Sequence, residues 1–228
     1  MARNFSLNIE EMASEKPLLA TGNYAAIIVA ATVSGKENKQ FIRIDKESVF
    51  NKDTQQREET ERYVLTGMFM LQLVLTSEKA KRVLLQDEPR QFINLNLKFN
   101  QTDGNLEQTS NVQFKQLWTL FDIDLGLITG SIDMNEVNSV PIPTELEHVE
   151  NIDTLVAAEN YWRQFFTLLG RILVQQQCRV RIVKRNKQEN RGGKWVKTTI
   201  IESVVDNGDF NAPHIGLLPY VEGCENDL

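Results

Sequence analysis

The stretch Gln91 to Phe99, QFINLNLKF, places Ile93, Leu95, Leu97 and Phe99 on one side of an extended chain and Phe92, Asn94, Asn96 and Lys98 on the other. Side chains alternate across a strand with period two, whereas a helix repeats every 3.6 residues, so this run buries its apolar residues together only as a strand. TGNYAAIIVAATVSG, from Thr21 to Gly35, is rich in β-branched residues and bounded by glycines, which fits a buried strand. In QFIRIDKESVF, Ile42 and Ile44 alternate with Phe41, Arg43 and Asp45. YVLTGMFMLQLVLT predicts a further strand, set off from the last by the polar run Asn51 to Arg62.

Helical periodicity enters later. SEKAKRVLLQ predicts a short helix ending before Pro89, and VQFKQLWTLF sets Val112, Leu117, Leu120 and Phe121 roughly on one helix face. After a Pro-containing acidic connector from Gly126 to about Glu150 comes the strongest helix. Asp153 is its expected N-cap, and Leu155, Ala158, Trp162, Phe165, Phe166, Leu169, Ile172 and Leu173 follow at helical spacing. The same spacing assigns Trp118 and Trp162 to core packing. The chain then alternates again from Cys178 to Val204 around Gly192 and Gly193, a hairpin pattern.

Strands, then helices, then a hairpin define an α+β class. At 228 residues the chain is long enough for one elaborated domain, expected over residues 21–205 with a helical insertion around 110–175. Residues 1–20 read as an N-terminal arm or partial strand, and 206–228 as a tail without regular structure. No run approaches the roughly 18 apolar residues of a membrane span, and the start has acids where a secretory signal needs an apolar core. Two distant cysteines without CxxC spacing suggest neither a disulfide framework nor a zinc site, so a cytoplasmic protein without membrane contact is the expectation.

The charge is segregated. Between Arg179 and Lys197 stand eight cations (Arg179, Arg181, Lys184, Arg185, Lys187, Arg191, Lys194 and Lys197) and one anion, Glu189. This segment is +7 in a chain whose total is −6, so the rest sums to −13.

Catalytic and metal-binding patterns are sparse. His148 and His214 have no ligand spacing around them. Asp122 and Asp124 form the best carboxylate pair, but they suit the end of a helix better than a metal site. No GxxxxGK[ST] or strand-linked GxGxxG occurs. The expectation is a protein that is not an enzyme and carries no cofactor or metal.

A single nucleic-acid strand shows a charged backbone and unstacked bases together, so its binder needs cations along a groove and planar groups for stacking. The basic hairpin offers both: Arg179 and Arg181 beside Trp195 and Lys197, with Val180, Ile182, Val196 and Ile200 expected on the buried side. Phe41 with Arg43, and Phe92 with Lys98, repeat an outward aromatic and cation pairing. The hairpin alone equally suits a solvated ribbon whose charges protect a sheet edge. A self-associating or host-modulating protein, in which the acidic remainder meets the basic hairpin of another copy, is the alternative.

Two segments resemble phage-encoded OB-fold single-stranded DNA-binding proteins. TGNYAAIIVAATVSG resembles the Gly-x-Tyr entry into their first barrel strand, and RILVQQQCRVRIVKRNKQENRGGKWVKTTIIESV resembles their helix followed by a closing basic hairpin. The likeness covers about half the chain. It implies an OB-like antiparallel β-barrel elaborated with helices, with Tyr24 near the entry of the first strand and Arg179, Arg181, Lys184, Lys194, Trp195 and Lys197 on the binding face. It implies single-stranded DNA as partner, replication or recombination proteins as further partners, and a homo-oligomer. The end, VEGCENDL, carries only Glu222, Glu225 and Asp227, a weaker acidic tail than that family's.

Overall fold

The computed structural model describes residues 18–35, 41–51, 55–188, 195–201 and 215–224. It is α+β. Its strands are β1 (Gly22–Gly35), β2 (Ile42–Asn51), β3 (Gln56–Leu75), β4 (Arg90–Lys98), β5 (Gln177–Gln188), β6 (Trp195–Ile201) and β7 (Leu217–Pro219). Its helices are α1 (Glu78–Leu84), α2 (Gln108–Leu120), α3 (Leu125–Gly130), α4 (Met134–Ser139) and α5 (Ile152–Leu173).

All pairings are antiparallel, in the order β2-β3-β1-β5-β6, with β4 on β3 and β7 on β5. The sheet curls far enough to bring β6 against β4. No ladder joins those two strands among the described residues, so the sheet is not closed into the expected barrel.

β3 has two roles along its 20 residues. Its second half lies between β1 and β4, with Phe69 opposite both Val33 and Leu95. Its first half pairs only with β2, from Ile42 opposite Leu65 to Asn51 opposite Gln56. The polar run Asn51 to Arg62, expected as a separator, is therefore mostly ribbon. A two-stranded ribbon buries little, so its sequence need not alternate in hydrophobicity. By register this ribbon leaves the sheet at the Gly35 end of β1. The β5–β6 ribbon leaves at the other end, where Gly22 faces Ile182.

The core draws its sheet residues from one face only. These are Tyr24, Ala26 and Ile28 of β1, alternate residues of β3 from Leu65 to Leu75, Ile93, Leu95 and Leu97 of β4, and Cys178, Val180 and Ile182 of β5. A bulge between Ile28 and Ala30 resets the alternation, so Ala31 and Val33 rejoin that face. Against it lies α5, whose Leu155, Phe165, Phe166, Leu169 and Leu173 are buried at helical spacing. Gly170 lets the helix approach closely: a Cβ there would stand 3.0 Å from that of Ala31. Phe166 meets Phe114 of α2 at 4.7 Å and Phe69 of β3 at 5.3 Å between ring centroids.

Local signals explain the ends. α5 starts at Ile152 with Asn151 in the left-handed region and no side-chain cap, so Asp153 falls in the first turn rather than at the cap. Its carboxylate still suits the positive end of the helix dipole. The acidic connector is not irregular: Asp124 accepts from the Gly126 N–H to start α3, and Asp133 accepts from the Asn135 and Glu136 N–H groups to start α4. In the tail, Leu217–Pro219 pairs with β5, a strand too short to show alternation. Residues 1–17 and 202–214 lie outside the described residues. No described helix is long and apolar enough to cross a membrane.

Gly104 ties the turn after β4 to α5. Its φ is +67°, its carbonyl accepts the Trp162 indole N–H at 2.8 Å, and a Cβ there would meet the Ala158 Cβ at 2.3 Å. Gly104→Ala therefore combines left-handed strain with a clash and should cost about 2 kcal/mol or more. The urea midpoint should fall accordingly with the m-value unchanged; an unaltered midpoint would contradict this packing.

Candidate nucleic-acid interface

Because the core takes one face of the sheet, the other face presents its own rows of side chains. On edge strand β4 this face carries Arg90, Phe92, Asn94, Asn96 and Lys98, of which Arg90, Asn94, Asn96 and Lys98 are exposed and Phe92 is 52% exposed. The next strand, β3, contributes Met68, Met70, Gln72 and Val74, lying opposite Asn96, Asn94, Phe92 and Arg90 respectively. β1 adds Ile27, Thr32 and Ser34. Ile27, Met68, Met70, Val74 and Phe92 neither belong to the core cluster nor pack against it. Phe92 is exposed and the other four are half-buried.

β5 borders the face on the far side, with Arg179 opposite Ala25 and Arg181 opposite Asn23. Both arginines are half-buried. The Arg179 Nε donates to the Pro219 carbonyl at 2.8 Å, which holds this guanidinium against β7. Three strand spacings separate β4 from β5, about 14 Å. The Arg90 partner, Glu88, is 3.7 Å away with both side chains exposed, so this pair contributes little and leaves the cation accessible.

The register of the basic ribbon corrects the expected pairing of residues. β5 and β6 match Ile182 with Ile201, Asn186 with Lys197, Lys187 with Val196 and Gln188 with Trp195. Directly opposed residues lie on the same face, and every second residue returns to it. By ladder position, Trp195 and Lys197 fall with Lys184 in the rows of Ile182, not in those of Arg179 and Arg181. Val196 and Ile200, expected on the buried side, fall in the arginine rows. Register is a relation between the two strands and cannot be read from the alternation of either one alone. The arginine rows instead continue through positions 183, 185 and 187, so four of five successive positions on that face of β5 carry Arg179, Arg181, Arg185 and Lys187.

Phe41 also requires correction: it is fully buried, not outward. β2 begins only at Ile42, and Phe41 plugs the root of the ribbon. Its N–H donates to Glu159 Oε1 at 3.1 Å, and its ring stands 6.0 Å from that of Phe99 and 4.7 Å beneath the Arg163 guanidinium. Glu159 holds Arg163 at 2.6 Å and accepts from the Ile42 N–H, so it fastens the β2–β3 ribbon to α5. Arg43 lies opposite Val64 in that ribbon, at the other end of β1 from the basic one. The structure thus does not bring Arg43 together with the β5 cations. Arg191 and Lys194 lie outside the described residues.

Other candidates have structural duties. Tyr24 is the third residue of β1, and its hydroxyl donates to the Ala20 carbonyl at 2.8 Å. Trp118 and Trp162 pack partly buried against the core. Asp124 caps α3. The His148 ring meets Tyr63 edge-on, with Nε2 3.4 Å from the Tyr63 hydroxyl, and His214 lies outside the described residues. Among the described residues no three His, Cys, Asp or Glu side chains form a metal-sized group.

No family model matches this chain, and no curated protein does. Among solved structures, one described as yeast RPA bound to ssDNA aligns over 88% of this chain and 87% of its own, at 12% identity and a TM-score of 0.25. A superposition that loose carries no argument about fold or ligand.

Beneath the arginine rows, Cys178 and Cys224 are both buried and unpaired by disulfide. Burial first, and the nearby Cys224 second, push the Cys178 thiol up to about 12. An unfolded thiol ionises near 9, so this contribution to stability is complete below that pH and is lost as pH rises toward 12. The stability difference between the wild type and Cys178→Ala should therefore be constant from pH 7 to 8.5 and shrink by pH 10.5 in urea titrations.

Proposed function

We propose that this protein binds single-stranded DNA, in a sequence-tolerant and non-catalytic way, across the sheet face that its core leaves uncovered. The observation that carries the reading is the composition of that face. Arg179 and Arg181 on β5 and the cations Arg90 and Lys98 on β4 flank apolar and amide side chains: Phe92, Met68, Met70, Asn94 and Asn96. Cations would hold the phosphates, while Phe92 and the methionines would offer apolar surface to unstacked bases. A duplex presents its bases edge-on within grooves and has no such use for a flat apolar sheet face. Lys184, Trp195 and Lys197 belong to the same ribbon but fall by register in the Ile182 rows, so they are not part of this face. The resemblance of Thr21 to Gly35 and of the final hairpin to phage single-stranded DNA-binding proteins supports a role in coating strands during phage replication or recombination.

Titrating labelled oligo-dT at about 50 and 200 mM salt tests the reading. Affinity should fall steeply between the two, because each phosphate contact releases counterions. Phe92→Ala should weaken binding by roughly 1–3 kcal/mol, the range for one stacked base, at either salt. Lys98→Ala should weaken it mainly at low salt. Absence of binding at low salt overturns the function, and binding unchanged in both variants moves it off this face.

A further inference from the structure

A second surface lies on the helical side. Between α4 and α5, beside the turn carrying Asp103 and Gly104, runs a groove of about 440 Å³. It continues past Val137, Asn138 and Ala157 into a second of similar volume toward Pro141 and Asp153. Its floor is apolar, built from Val137, Ala157, Ala158 and the Tyr161 and Trp162 rings, and Met134 stands 51% exposed at its lip. The charged side chains that line it, Asp103 and Asp153, are both acidic. From Asp122 to Asp153 the chain holds eight carboxylates and no lysine or arginine, so this segment alone is −8 of the −13 found outside the basic segment.

An apolar floor within such a field selects an occupant that is cationic and carries an apolar anchor. The chain itself contains one: the β5–β6 ribbon with Lys184, Arg185, Lys187, Trp195 and Lys197, within the +7 segment. We infer that the groove between α4 and α5 receives the basic ribbon of a second copy. Groove and ribbon are different surfaces, so the contact is made either once per pair, propagating head to tail, or twice, by reciprocal exchange within a two-fold dimer. The ribbon that would contact nucleic acid is then occupied by protein when nucleic acid is absent.

Sedimentation velocity without any nucleic acid tests this independently of DNA binding. At about 50 mM salt the wild-type chain should form concentration-dependent species larger than a monomer, and these should dissolve at about 500 mM. Glu136→Lys with Asp153→Lys should give a monomer, as should Lys187→Glu with Lys197→Glu, and mixing the two should restore association because each then meets its opposite charge. If the first pair fails to fold, Glu136→Gln with Asp153→Asn should still lower the association constant about tenfold or more. A wild type that is monomeric at both salts, or variants that associate as it does, overturns the inference. So does a mixture that stays monomeric, which is the outcome expected if the ribbon folds back on its own groove.

Discussion

The contact of Phe166 with Phe69 and Phe114 joins α5, β3 and α2, and much of the molecule is arranged around it. Aromatic pairs of this kind contribute roughly 0.5–1.5 kcal/mol each beyond the area they bury. Their larger consequence is geometric. α5 lies across β1 closely enough for Gly170 to touch Ala31, so one face of the sheet is consumed by packing. One helical layer covers one sheet face, and the other face is left free to evolve chemistry. The methionines and Phe92 on it are affordable only because the core already has enough apolar surface without them.

Charge follows the same division. The acidic residues concentrate where helices need caps and exposed first turns, as Asp124 and Asp133 show. The basic residues concentrate on the β5–β6 ribbon, where β5 beyond Ile182 pairs with β6 alone among the described residues. A chain of net −6 can therefore present a strongly cationic edge, since what a ligand meets within a Debye length of about 8–10 Å is local charge and not the total. The same segregation makes the two ends of the molecule complementary to each other.

Legibility in the sequence tracked burial. QFINLNLKF was readable because half its residues enter the core and half meet solvent, and the helix from Ile152 because Phe165, Phe166, Leu169 and Leu173 are all buried on one stripe. Alternation in YVLTGMFMLQLVLT also carried a signal for the outward Met68 and Met70, which went unused because both faces of that strand are apolar. Where a strand pairs with a single neighbour or is very short the pattern failed: the β2–β3 ribbon reads as a polar separator, and the three-residue β7 leaves no trace. Alternation carries Phe41 outward, but β2 starts only at Ile42, and Glu159, 118 residues away, holds the Phe41 backbone where its ring is buried.

The sequence by itself determined that the chain would be α+β, which residues of β4 would be buried and most of the buried stripe of α5, though Ile172, expected on that stripe, is 40% exposed, and that its cations would gather in one hairpin, because hydrophobic period and charge are local properties. Tertiary structure decided which cations share a face. Strand pairing joins β5 to β6, and a shift of one residue exchanges every side chain between faces. Register, unlike periodicity, is a relation between two strands, and it set Arg179 and Arg181 in line with positions 185 and 187 rather than beside Trp195.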